Sequence, residues 1–196
     1  MSSRPPQGYF HRSALTAPSQ PADPRGDWMQ TYTGRRFYPM SPRSDEIDPA
    51  DIAHALSLIC RYAGHVERFY SVAEHCVLMS QAVAPENALA ALLHDATEAY
   101  VVDVPRPLKR YLADYRAIEQ ATWTAIAIRF GVELTLPSEV DEADNRILVN
   151  ERRELLPRAE AWPAIDDLEP LPVAVVAWAP AIAERRYLER LTELLR

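Results

Sequence analysis

Cysteine is scarce in this chain. Cys60 and Cys76 are the two present, they form no CxxC pair, and both fall in apolar helical patterns, which argues against a disulfide scaffold and for buried free thiols in a reducing compartment. No apolar run is long enough to cross a bilayer and no signal peptide is visible, so a cytoplasmic protein without a membrane partner is expected. Positive charge is in deficit, with 21 Lys and Arg against 28 Asp and Glu and a formal charge of −7. That balance argues against a nucleic-acid polymer as partner, because affinity for phosphate backbones rests on clustered Lys and Arg. A phosphate-bearing partner should instead be small and held in a local basic pocket. Histidine is also sparse, five in all, and none follows His94.

What is present suffices for one domain: 196 residues, 48% of them hydrophobic. Residues 1–26, rich in Pro, Ser, Gln and Arg and without a hydrophobic period, read as a flexible leader to a globular unit over 27–196. The aromatics between Trp28 and Tyr38 suggest a short strand pair turning near Thr33 and Gly34. A first helix should start at Asp48 and Pro49, bury Ile52, Leu56 and Ile59, and end at Gly64. Ser71 to Glu74 (SVAE) reads as a capping box for a second helix burying Val72, Cys76, Met79 and Val83. A third helix is expected from Pro85 to Tyr100, a fourth from Leu112 to Phe130 stopped by Gly131, and a fifth after Pro137, capped by Ser138 or Asp141. Residues 157–180 read as a long packed loop before a last helix to Leu195. The sum is an all-α domain whose core spans about 48–156, with a C-terminal loop and helix over 157–196.

The most informative feature is His94 and Asp95 inside Ala91 to Glu98 (ALLHDATE), where a helix should bury aliphatic residues. Desolvating a carboxylate costs several kcal/mol unless something charged compensates, and a divalent cation suits a His and an Asp together. A second His closes Ser71 to His75 (SVAEH), and a lone acidic site lies in Val140 to Arg146 (VDEADNR). Glu98 stands four residues past His94 and so shares its helical face. Arg61, Arg68, Arg106 and Lys109 flank these motifs as candidate phosphate-binding groups.

The order H…HD…D resembles the HD-domain superfamily of metal-dependent phosphohydrolases, from about Asp48 to about Glu154. His94 to Lys109 (HDATEAYVVDVPRPLK) is similar to the 5'-deoxynucleotidase branch, where HD is followed by a Glu, an Asp and a Pro-rich turn carrying Lys. The resemblance implies an HD-domain helical bundle in which His75, His94, Asp95 and Asp144 hold one divalent ion (Mn, Co, Zn, Fe or Mg). The two-metal branches use further histidines after the HD pair, which this chain lacks. It implies catalytic roles for Glu98 and Asp103, a phosphate-binding Arg61 followed by Tyr62 where the family has a Trp that rejects ribonucleotides, and Arg106 and Lys109 beside the substrate. The expected activity is hydrolysis of a nucleotide phosphoester, first of all a deoxynucleoside 5'-monophosphate. The alternatives are a triphosphohydrolase of the same fold and a non-catalytic nucleotide-binding module. The resemblance also implies a homodimer or larger assembly.

Overall fold

The structure is a computed structural model that describes residues 23–156 and 160–196. Residues 1–22 of the expected leader lie outside the described residues, as do 157–159 at the start of the expected C-terminal loop. The described chain is mostly helical, with a single two-stranded sheet among the described residues.

The N-terminal part is held together by polar contacts of its own. Arg25 pairs with Glu46 at 2.6 Å, and Tyr38 donates its hydroxyl to Asp23 at 2.8 Å. Strands β1 (Met29–Gln30) and β2 (Arg36–Phe37) pair antiparallel, Met29 opposite Phe37. Gly34 takes φ 82° in the turn between them, a conformation that costs a residue without Cβ little. Buried Asp51 accepts from the Thr33 backbone N–H at 2.6 Å and so fixes this hairpin on the next helix.

That helix, α1 (Pro49–Leu58), begins as its sequence dictates: Asp48 accepts from the Ala50 N–H and Pro49 occupies the first turn. It stops at Leu58, earlier than the Gly64 boundary expected. The chain then runs extended, Cys60 bridging to Ser71, and residues 61–64 form a separate turn. Cys60 is therefore half-buried outside any helix, while Cys76 is a buried free thiol.

Helix α2 (Val72–Ala82) is the centre of the molecule and packs against α3 (Ala88–Leu93), α8 (Pro180–Leu194), α1 and α7 (Ser138–Leu155). Ser71 Oγ accepts from the Glu74 N–H, the forward half of the capping box. Its reciprocal half is replaced: the buried Glu74 carboxylate accepts instead from the backbone N–H groups of Val176, Ala177 and Trp178. The packed loop before α8 is thus anchored to α2, and Ile165, Leu171, Val175 and Trp178 are buried within it.

The expected single helix over 85–100 is broken. A tight turn at Pro85–Asn87 leads into α3, which ends at Leu93, and α4 (Glu98–Val101) follows after four intervening residues. Between them the hydrogen bonds tighten to three-residue spacing, Ala96 N–H to Leu93 and Glu98 N–H to Asp95. Short α5 (Arg106–Lys109) precedes α6 (Ala113–Phe130), which ends on left-handed Gly131 as expected. Ile118 is half-buried there, while Trp123, Ala125 and Ile126 face inward. Helix α7 has Pro137 before Ser138 and no side-chain cap, so Ser138 and Asp141 do not act as expected. Glu139 instead accepts from Ala84 N–H and from Asn87 Nδ2, pinning the start of α7 to the start of α3. No described helix is long and apolar enough to cross a membrane.

Candidate metal centre

Four side chains from three segments converge. His75 lies in the first turn of α2, fully buried; His94 and Asp95 follow α3; Asp144 lies on α7. His75 Nε2 is 3.3 Å from His94 Nε2, 3.6 Å from Asp95 Oδ2 and 3.3 Å from Asp144 Oδ1. His94 Nε2 is 3.2 Å from Asp95 Oδ2. The group His75, His94 and Asp95 could hold a metal ion, one ligand atom from each lying within 4.8 Å of the others.

The donor set fits a cation for a further reason. His75 Nδ1 lies 2.7 Å from Glu151 Oε1 and His94 Nδ1 lies 2.8 Å from the Ala91 carbonyl. Each Nδ1 faces an oxygen that can only accept, so each donates its proton there and turns Nε2 toward the shared point. Neither partner was singled out in the sequence. Ala91 is reached by one turn of helix from His94, whereas Glu151 shares a face of α7 with Asp144, seven residues back, a spacing that could have flagged it.

Charge holds the cluster in its ionised form. Burial alone would raise the Asp95 carboxyl, but the charge and hydrogen bond of His94, with His75 and Arg61 behind them, hold it well below the usual carboxylate range. Asp144 behaves likewise, burial being outweighed by the hydrogen bond from His75 and the charge of His94. His94 is pushed well above its ordinary value: burial opposes the charged form, and Asp95 overrides it. The contacts that lower the two carboxylates also raise His94, so the opposite charges of the cluster favour one another.

The remaining candidates surround this point. Arg61, 11% exposed, sends Nη1 to Asp95 Oδ2 at 3.3 Å and Nη2 to Glu151 Oε2 at 3.4 Å, so both its terminal nitrogens meet carboxylates. The Tyr62 hydroxyl donates to Glu151 at 2.5 Å. Glu98 is buried, its Oε2 without a hydrogen-bond partner among the described residues, and burial followed by the charges of Asp95 and Asp103 pushes its carboxyl well up. Half-buried Asp103 is raised in the same direction, first by burial. Exposed Arg106 pairs with Asp144 and with Asn145 at 2.9 Å, and Lys109 pairs with Glu119 at 2.7 Å. His54 stacks on Tyr32 and meets Glu184 at 3.2 Å, His65 is exposed beyond the 61–64 turn, and Arg68 is exposed. Arg146 and Arg152 hold the loop after α7, through Glu169 and Pro170 carbonyls and through Asp166.

No protein-family model matches the chain. The uncharacterized protein RCAP_rcc00048 of Rhodobacter capsulatus is 33% identical over 126 residues, 59% of this chain and 64% of that protein. The uncharacterized protein YfdR of Escherichia coli strain K12 is 41% identical over 169 residues, covering 85% of this chain and 95% of that protein. On that match, spanning nearly all of the relative, the chain belongs to the family of YfdR.

Proposed function

We propose that the protein is a metal-dependent phosphohydrolase of the HD type, acting on the phosphoester of a deoxynucleoside 5'-monophosphate. The observation that carries this reading is the convergence of two oriented imidazoles with Asp95 and Asp144, a mixed N/O set that suits a borderline or hard divalent ion with room for water. A cation bound by His75, His94, Asp95 and Asp144 would supply a water of lowered pKa and neutralise charge on a phosphoryl oxygen.

The chain's own groups supply the rest. Buried Glu98 retains its proton to a higher pH than an ordinary Glu, so it suits protonation of the leaving oxygen. Asp103, on the same side, is the candidate for the sugar hydroxyl. Arg61 provides fixed positive charge beside Asp95, and Arg106, more than half exposed, has the freedom to turn from Asp144 to a phosphate. Lys109 has a similar choice between Glu119 and a phosphate.

The test is release of phosphate from a panel of deoxy- and ribonucleoside mono-, di- and triphosphates with Mn, Co, Mg or Zn, comparing the native chain with Asp95→Ala and Glu98→Gln. Metal-dependent release of orthophosphate from monophosphates is expected, absent in Asp95→Ala and reduced about 10²- to 10⁴-fold in Glu98→Gln. Release of inorganic triphosphate would assign the triphosphohydrolase reading instead. Metal binding without turnover of any nucleotide would leave the non-catalytic module standing and overturn the hydrolase.

A further inference from the structure

The turn Arg61–Gly64 holds a conformation that its sequence does not favour. Tyr62 (φ 57°, ψ 28°) and Ala63 (φ 51°, ψ 30°) both lie in the left-handed region. L side chains are strained in this region, and such strain persists only where the surroundings fix it. The backbone supplies part of the restraint, Arg61 N–H donating to the Tyr70 carbonyl at 2.9 Å. Glu151 supplies the rest. One of its oxygens, Oε2, receives the Tyr62 hydroxyl at 2.5 Å and Arg61 Nη2 at 3.4 Å, and the other, Oε1, receives His75 Nδ1 at 2.7 Å. The carboxylate is fully buried, so no solvent competes for these bonds. Arg61 closes the circuit through Asp95, which stands 3.6 Å from His75.

We propose that Glu151 is a positioning residue that locks the strained Arg61–Tyr62 turn to the imidazole of His75, so that cation binding at His75 and ordering of the turn are one linked event. This rests on the metal site of the preceding reading. A positive charge on Nε2 makes Nδ1–H a stronger donor and draws Oε1 toward it. The two oxygens of a carboxylate move as one rigid unit, so the same pull fixes Oε2 and the hydroxyl bound there. Arg61, carried by the turn, is then presented at the site when the cation is in place.

The test uses the full chain with Mn²⁺ alone, measuring affinity by titration calorimetry and amide hydrogen exchange of residues 61–65, where His65 N–H bonds to the Tyr62 carbonyl. In the native chain Mn²⁺ should slow that exchange. Tyr62→Phe should still bind Mn²⁺ yet lose the slowing, because its ring can no longer reach Glu151 through a hydroxyl. Glu151→Gln should lose the slowing and bind Mn²⁺ about 10- to 100-fold more weakly. Exchange that Mn²⁺ leaves unchanged in the native chain, or slows equally in Tyr62→Phe, would overturn the linkage while leaving the metal site intact. A native chain that binds no divalent ion would overturn the metal site and the linkage together. Should Glu151→Gln fail to fold, the comparison of Tyr62→Phe with the native chain decides alone.

Discussion

His94 carries two demands that conflict until a cation arrives. Asp95 favours a proton on His94, yet the Nε2 of that ring must be bare to coordinate. Because its pKa is raised, a metal ion must compete with that proton for Nε2. Calorimetry in buffers of different ionisation enthalpy should therefore show protons released as Mn²⁺ binds, with affinity falling as pH falls; affinity independent of pH would contradict this account. Val102 shows strain of another kind, with φ 65° and ψ 159° in a region that glycine alone tolerates. The residue is 60% exposed and its carbonyl accepts from the Tyr115 hydroxyl at 2.8 Å, just before Asp103. Val102→Gly loses little packing and should raise stability by about 1 kcal/mol, read as an increased melting temperature. A decrease would mean that the strain is not released by removing Cβ.

Helix α2 shows how one element serves packing and chemistry together. Its cap was legible in the sequence, because a Ser three residues before a Glu satisfies a helix start from local contacts alone. What Glu74 does with its carboxylate was not, since its partners lie about a hundred residues away at Val176, Ala177 and Trp178. Glu74→Ala would strand those three N–H groups and should destabilise the fold by on the order of 3 kcal/mol in urea unfolding, with new protease cleavage in the 173–179 loop. Loss below about 1 kcal/mol would show that water replaces the carboxylate. The break between α3 and α4 was equally hidden. Leu89, Leu92, Leu93 and Ala96 keep helical spacing through it, and the tightening to three-residue hydrogen bonds leaves the apolar pattern intact.

For the whole molecule, the buried carboxylates of the site link stability to acid. Glu151 is held at about 2 against an ordinary 4.5; burial would raise it, but Arg61, His75 and the hydrogen bonds from His75 and Tyr62 prevail. A folded pKa below the unfolded one contributes stability that is present above about 4.5 and lost as pH falls through about 2. Glu151→Gln should thus lower stability at neutral pH by on the order of 3 kcal/mol and flatten the acid limb of a stability-pH curve over that interval. An acid limb as steep as that of the native chain would remove Glu151 as a contributor. Divalent metal should act in the opposite sense on the native chain: at a hundred times its dissociation constant a cation bound by the folded state adds about 2.7 kcal/mol, reversed by chelator and absent in Asp95→Ala.

The helical class and the points where α1 and α2 begin and α6 ends follow from the sequence alone, because caps and apolar periods are local properties, whereas His75, His94, Asp95 and Asp144 were grouped through the resemblance of their order to the HD pattern. Packing alone brings His75, His94 and Asp95 within 4.8 Å of one another with Asp144 against His75, sets Glu151 and Ala91 to orient the imidazoles, and turns Arg61 and Lys109 toward carboxylates. Those facts depend on how α2, α3 and α7 cross, and that is set by burial of side chains far apart in the chain. A carboxylate such as Glu151 looks like any helical Glu until packing removes its water and leaves a histidine, an arginine and a tyrosine as its partners.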